Sequence, residues 1–431
     1  MLKIIHTADW HLGVRLHKKD LAKDHQLFFD WLIGQIKERE IDVLLVSGDI
    51  FDHANPSQEA QALYFDVLYR LKETGCKVIL TAGNHDSPAV LDLTRKFLKI
   101  MDIHVVGMIG NEPGEQVICL KKKNVSGKDV ESLPTESGKI NSGENNTGEV
   151  EAVVCAAPYL RDSDIRLASE GELQQEKQQK RKSGMMQHFS GLIDRCAEYG
   201  DVPIILMAHL FAAGAELNEQ KRDITIGGLD AFLSTDFPKG CHYVALGHIH
   251  RPMQIGGTNH IRYSGSPIAL SFSEKEQKKV VVEITVDQGC IKDIQPVEVP
   301  VNRKLLKFTG TFNEVQSHLK QYKNKYSLKA FAEIEIIEPE KDLDLPLKMH
   351  KMVTEHEASE VEILTYKYSS ITGIGGLKDR VEENIEISEL KEIEVLEKMM
   401  DAQHISSDQR GMINKAFDEL IRLIELEDAN Q

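Results

Sequence analysis

Five short stretches of the chain carry residues able to do metal chemistry: Asp9-Trp10-His11, Gly48-Asp49, Gly83-Asn84-His85-Asp86, Ala208-His209 and Gly247-His248-Ile249-His250. In an extended loop alternate side chains turn the same way, so the D-x-H and H-x-H spacings let both members of a pair face one site. Imidazole combined with carboxylate and amide oxygen suits a borderline divalent cation, Mn²⁺, Fe²⁺ or Zn²⁺, better than Mg²⁺ alone. A single histidine of this kind is ordinarily a hydrogen-bonded loop residue, and G-D alone is a weak signal. Five such loops in one domain, one of them G-N-H-D, point instead to a metal centre.

Such loops need strands to present them. Residues 43–46 (V-L-L-V) form an apolar, valine-rich run that reads as a buried parallel strand. Ser47-Gly48 ends it, which places Asp49 at a carboxyl end, where open α/β sheets hold ligands. Strands at 3–5 and 76–81, with helices at 24–39, 57–73 and 88–101, complete a β-α-β-α-β order. That order predicts a parallel sheet covered on both faces. Further apolar strands are predicted at 152–156, 203–207 and 243–246, and an exposed helix face at 172–182. Residues 110–149, rich in Ser, Gly, Asn and Glu, predict a flexible insertion or a long hairpin tip. Beyond residue 272, strands at 279–285, 330–337 and 361–368 alternate with helices at 313–322 and 345–355, a small α+β domain. A glycine-containing linker at 371–384 leads to two amphipathic helices, with apolar positions Leu390, Ile393, Leu396, Ile413, Phe417 and Ile424. A hairpin of two such helices cannot bury both stripes against itself, so residues 385–431 need another surface.

Composition sets outer limits. The 431 residues are 41% hydrophobic and 28% charged, a globular balance with no apolar run long enough to cross a membrane. Met1-Leu2-Lys3 leads directly into a strand, which predicts that no signal peptide precedes the fold. Six scattered cysteines without a C-x-x-C read as reduced thiols of a cytoplasmic protein. A net charge of −16 argues against holding nucleic acid by bulk attraction; a polyanion would need local cations, bound metal or a partner. Arg15, His17, Lys18 and Lys19, after the first loop, are equally readable as contacts to a DNA backbone or as solvated charges.

The set D-x-H, G-D, G-N-H-D, A-H and G-H-x-H resembles the calcineurin-like metallophosphoesterases. T-A-D-W-H-L-G at 7–13, G-D-I-F-D at 48–52, P-Y-L-R at 158–161, G-H-I-H-R-P at 247–252, Y-S-G-S-P at 263–267 and L-S-F-S-E at 270–274 are similar to the DNA nucleases of that family. The resemblance is strong to about residue 280 and architectural thereafter. It implies an α/β fold, a two-layered β-sandwich flanked by helices over residues 1–275. An α+β capping domain at 276–370 and a C-terminal helical hairpin would follow. It also implies a two-metal centre, with Mn²⁺ favoured and Mg²⁺, Fe²⁺ or Zn²⁺ possible. One metal would take Asp9, His11, Asp49 and His250; the other Asp49, Asn84, His209 and His248. Asp49 would bridge, one anion between cations about 3.5–4 Å apart. His85 would serve as proton donor to the leaving oxygen, a task that suits an imidazole.

By the same resemblance the activity is double-strand 3′–5′ exonuclease with single-strand and hairpin endonuclease, in DNA repair, recombination and replication. The partners are a coiled-coil ABC-type ATPase gripped by the tail, and a second copy of the nuclease domain, together a heterotetramer. One position departs: relatives from archaea and eukaryotes have a second active-site histidine where this chain has Asp52, which reads as a hydrogen-bonded loop residue. Two alternatives stand beside the nuclease. Protein phosphatases of this fold carry G-D-x-V-D-R-G, whereas this chain reads G-D-I-F-D-H-A; small-nucleotide hydrolases usually end with the metal domain. The other alternative, a non-catalytic scaffold, would have lost ligands, and every expected ligand type is present.

Overall fold

The computed structural model describes residues 1–109, 113–121, 150–165, 174–212, 232–340, 342, 344–356, 360–370 and 410. The expected linker and helical hairpin lie outside the described residues except at Arg410, as does the 110–149 insertion except at 113–121. Met1–Ile336 and Asp344–Tyr368 form one compact unit; a second, Ile337–Leu343 with Ser369–Gln431, is described only at a few positions.

Two six-stranded sheets make the body. In the first, the strands run in the order Cys290–Glu298, Val280–Asp287, Leu2–Thr7, Val43–Ser47, Lys77–Thr81 and Ile103–Val106, the last four parallel. In the second, the order is Met253–Gln254, Ile261–Tyr263, Tyr243–Gly247, Ile204–His209, Val150–Ala156 and Val117–Lys121. The period of two sorts each strand between two cores. Ile4, Val43, Leu45 and Ile79 meet Val154, Ile205, Met207 and Ala245 between the sheets. Ile5, Leu44, Val46 and Leu80 face the helices Ala22–Arg39 and Gln58–Lys72, where Phe28, Phe29, Leu32, Val67 and Leu71 are fully or almost fully buried. The expected parallel sheet is therefore covered on both faces, but by helices on one and a second sheet on the other. A continuous apolar strand reports double burial without saying what buries it.

Local chemistry sets several boundaries. Ser57 caps its helix by accepting the Ala60 N–H at 3.2 Å. The helix expected at 88–101 is two, Pro88–Asp92 and Arg95–Ile100; Asp92 turns its carboxylate to the Gly107 N–H at 3.0 Å and the chain breaks there. The helix expected at 172–182 runs Gln174–Cys196, because its second half buries Phe189, Leu192 and Cys196 on the outer face of the second sheet. A third, smaller sheet has the order Leu305–Gly310, Ala330–Glu338, Val361–Ser370. Helices Phe312–Gln321 and Leu345–His356 cover it through Val315, Leu319, Met349 and Met352. Arg303 joins this layer to the body: it grips Asp24 through both carboxylate oxygens at 2.9–3.1 Å and lies 3.8 Å above the Phe331 ring.

Candidate metal centre

The parallel strands of both sheets end on the same side, and five of those ends supply the side chains singled out from sequence. Leu2–Thr7 leads to Asp9 and His11, Val43–Ser47 to Asp49, Lys77–Thr81 to Asn84 and His85. Ile204–His209 ends in His209 itself, and Tyr243–Gly247 runs into His248 and His250. The backbone bends sharply to aim them. Asp9, His11, Asp49 and His248 all have positive φ, at 53°, 48°, 50° and 105°. Each such non-glycine conformation costs about 1–3 kcal/mol and is held by its surroundings. The Asp9 N–H donates to Gly48 O and the His11 N–H to Asp49 O, both at 3.0 Å, so two of the loops hold each other.

All seven expected ligands and His85 converge. Asp49 sits in the middle: its Oδ2 is 3.5 Å from His11 Nε2 and 3.2 Å from His209 Nε2, while its Oδ1 accepts the His85 N–H at 2.9 Å. Asn84 Oδ1 lies 3.0 Å from His209 Nε2 and 2.9 Å from His248 Nδ1. Asp9 Oδ1 accepts the His248 N–H at 2.8 Å, which ties the first sheet's loop to the second's. Donor atoms of Asp9, His11 and His250 fall within 4.8 Å of one another, as do those of Asp9, Asp49 and His209.

His85 lies at the edge of this set, where donor atoms of His11, Asp52 and His85 also fall within 4.8 Å of one another. Its ring is exposed, and Nδ1 lies 2.8 Å from the Asp52 backbone carbonyl. A carbonyl only accepts, so Nδ1 carries a proton.

Three residues act here that sequence reading did not assign. Asp52 Oδ1 meets His11 Nδ1 at 3.1 Å, so this loop aspartate orients one imidazole with its carboxylate and another with its carbonyl. Asp86 is buried and accepts the Gly83, Ile50 and Phe51 N–H groups at 2.7, 3.1 and 2.9 Å, lashing two loops together. Burial and the nearby Asp49 push it up to about 6. Glu274 approaches His250 Nδ1 at 3.4 Å. The fourth residue of G-N-H-D and the last of L-S-F-S-E were the available signals for two of these.

The chain matches the family described as "Calcineurin-like phosphoesterase" over residues 2–252. It is 32% identical to SbcD of the SbcCD nuclease of Escherichia coli (strain K12), over 96% of this chain and 97% of that protein. The chain belongs to the calcineurin-like phosphoesterases, in the SbcD branch. The SbcD proteins of Rhodobacter capsulatus and Bacillus subtilis are 32% and 28% identical over 72% and 74% of the chain, and 73% and 75% of their own length.

A calcineurin-like phosphoesterase is a metal-dependent hydrolase, and the donor atoms here fit divalent cations. His209 Nδ1 is 2.9 Å from Ser47 O, so Nδ1 carries a proton and Nε2 is the ring atom turned toward Asp49 and Asn84. Electron-rich atoms crowded in this way call for a positive charge between them. A proton on Nε2 can supply that charge too: burial disfavours a charged His209, yet the Asp49 carboxylate prevails and pushes the imidazole up to about 9, so a cation would bind there by displacing that proton. Burial and a charged His209 push His248 down to about 4. Asp9 Oδ2 and His11 Nε2 are buried and have no hydrogen-bond partner among the described residues. Leaving such atoms unpaired costs about 1–3 kcal/mol each, a cost that a bound cation removes.

Proposed function

We propose that this phosphoesterase is the DNA-cutting component of a complex with an SbcC-type ABC ATPase, acting as double-strand 3′–5′ exonuclease and single-strand or hairpin endonuclease. The observation that carries the reading is the two adjoining donor groups Asp9–His11–His250 and Asp9–Asp49–His209, with the Asp49 carboxylate 3.5 Å from His11 and 3.2 Å from His209 and the His85 N–H on its other oxygen. Asp9, His11, Asp49 and His250 would hold one cation, and Asp49, Asn84, His209 and His248 the other, with Mn²⁺ the favoured metal for this mixture of imidazole and oxygen. Such cations, when bound, draw charge from phosphoryl oxygens and supply a nucleophilic water near neutral pH. Asp49 keeps the two half-sites in register. Asn84 contributes oxygen without charge, so less negative charge opposes an incoming phosphate. His85, its Nδ1–H held by the Asp52 carbonyl, would act in its doubly protonated form, passing the Nε2 proton to the leaving 3′- or 5′-oxygen and remaining as the neutral Nδ1–H tautomer.

In this reading residues 276–370 cap the nuclease domain and guide DNA, the linker 371–384 lets the terminal helices reach the ATPase, and the complex works in the cytoplasm. No helix among the described residues is long and apolar enough to cross a membrane. Pairing of two copies through the nuclease domain is supported by an apolar surface: Phe65, Tyr69, Leu93, Phe97 and Ile100 are 44–83% exposed along neighbouring helices.

The test is cleavage of duplex, hairpin and single-stranded DNA with and without Mn²⁺, alone and with the ATPase. Mn²⁺-dependent scission of hairpin and single strands by the chain alone, extended to duplex ends with the ATPase, is expected. Hydrolysis confined to phosphoproteins or mononucleotides would overturn the reading.

A further inference from the structure

We propose that Glu274 and Lys279 are a positioning pair that fixes His250 at both ends for metal binding; this rests on the reading of His250 as a ligand given above. The two residues are 6% exposed each and face one another, Glu274 Oε2 to Lys279 Nζ at 2.5 Å. A buried ion pair contributes little net stability, and apolar replacements are often neutral or better. Its location supplies the reason for it. Glu274 Oε1 lies 3.4 Å from His250 Nδ1, while Lys279 Nζ donates to the His250 backbone carbonyl at 3.1 Å. Ser266 closes the ring: its N–H donates to the same carbonyl at 3.2 Å and its hydroxyl accepts from Lys279 at 2.9 Å.

A carboxylate on Nδ1 holds the proton there and turns the Nε2 lone pair toward Asp9 and His11. An ammonium on the carbonyl holds the backbone of the H-x-H loop. The pair is itself rigid. Glu274 ends a short 3₁₀ turn, Phe272–Glu274, whose Phe272 is buried among Val14, Leu16, Leu305 and Phe331, and its Oε2 also accepts the Leu270 N–H at 3.2 Å.

The experiment titrates the full chain with Mn²⁺ alone, by calorimetry and by electron paramagnetic resonance of the bound ions. The double variant Glu274→Gln/Lys279→Met removes both charges together, so no lone buried charge remains to unfold the chain. It is expected to melt within a few degrees of wild type yet bind one of two Mn²⁺ ions roughly 10–100-fold more weakly. Cleavage should recover as Mn²⁺ is raised, with KM for DNA unchanged. Wild-type affinity at both sites in the folded double variant would overturn the proposal and leave the pair a purely structural one. Should the double variant fail to fold, Glu274→Asp decides: it keeps a charge opposite Lys279 but withdraws from Nδ1. Weakened Mn²⁺ binding in that variant supports the pairing, and undiminished binding overturns it. His250→Ala separates the two levels: if it binds two Mn²⁺ ions as tightly as wild type, the ligand reading itself fails and the proposal with it.

Discussion

Gly83 is no ligand, yet replacing it with alanine should disable the centre. A Cβ built on Gly83 would stand 2.1 Å from Asp49 Oδ1 and 2.2 Å from the Asp49 backbone nitrogen. Ordinary carbon contacts begin near ~3.5 Å, so the Asp49 loop and the Gly83 loop must separate by about 1 Å or more. A side chain could swing aside cheaply, but one of the two clashes is with backbone held at φ 50°. The displaced group is the carboxylate proposed to serve both half-sites, which also accepts the His85 N–H at 2.9 Å. A misplacement of this size near reacting groups costs on the order of 100-fold in rate. The strain of forcing a methyl into a packed site costs roughly 1–3 kcal/mol in stability. The assay is Mn²⁺ calorimetry with single-strand cleavage at limiting Mn²⁺, alongside thermal unfolding. Gly34→Ala is the control: nothing lies within 4 Å of its Cβ, in the middle of the helix Ala22–Arg39, so it should stabilise by about 0.5–1 kcal/mol and leave activity alone. If Gly83→Ala binds two Mn²⁺ ions at wild-type affinity and cuts normally, the loops are not the rigid cradle argued here.

His85→Ala should keep both metal sites and lose about 10²–10⁴-fold in cleavage, checked by metal analysis beside single-turnover rates; loss of metal would show it to be a ligand instead. Asp52→Asn keeps the backbone carbonyl that orients His85 but removes the charge on His11 Nδ1, so Mn²⁺ affinity should fall roughly 10–100-fold while the rate at saturating Mn²⁺ stays near wild type. Phe97→Glu, which puts a charge on a ring 65% exposed in the apolar surface, should weaken self-association at least ~30-fold by sedimentation; an unchanged dimer would place the interface elsewhere. Deletion of residues 385–431 should abolish co-purification with the ATPase and spare Mn²⁺-dependent cleavage of short single strands; retained binding would refute the docking role of the tail.

How legible these features are in the sequence depends on what surrounds each residue. The strands Val43–Ser47 and Tyr243–Gly247 are buried on both faces and read as uninterrupted apolar runs. The ligand loops were legible because D-x-H, H-x-H and G-N-H-D are spacings with few other uses. Cys290–Glu298 was not, because its residues are half-exposed or exposed throughout and it joins the sheet by antiparallel pairing to Val280–Asp287. Its polar composition resembles a loop until a partner strand is known. Glu274 and Lys279 failed for the opposite reason: charged residues in S-E-K-E-Q-K-K read as solvated, and only three-dimensional contact makes two of them a buried pair. Asp52 was readable as a hydrogen-bonded loop aspartate, but its partner lies 41 positions away in sequence, beyond any local pattern.

The centre is divided between the two sheets, and that division governs how the fold bears on the chemistry. Asp9, His11, Asp49 and Asn84 follow strands of the first sheet; His209 ends a strand of the second, and His248 and His250 follow another. Neither sheet alone brings a complete donor set together, so the distance between the layers sets the geometry of the metal site. That distance is fixed by the inter-sheet core, where Leu45, Ile79, Met207 and Ala245 are fully buried and close-packed. Direct ties reinforce it at the site itself, through His209 on Ser47 O and the His248 N–H on Asp9. Gly247 makes the approach possible, since a Cβ there would fall 1.8 Å from Ser47 O. The packing of an apolar interior and the placing of the donor side chains are thus one constraint, and a change in core volume far from any of them would reach the site through the spacing of the sheets.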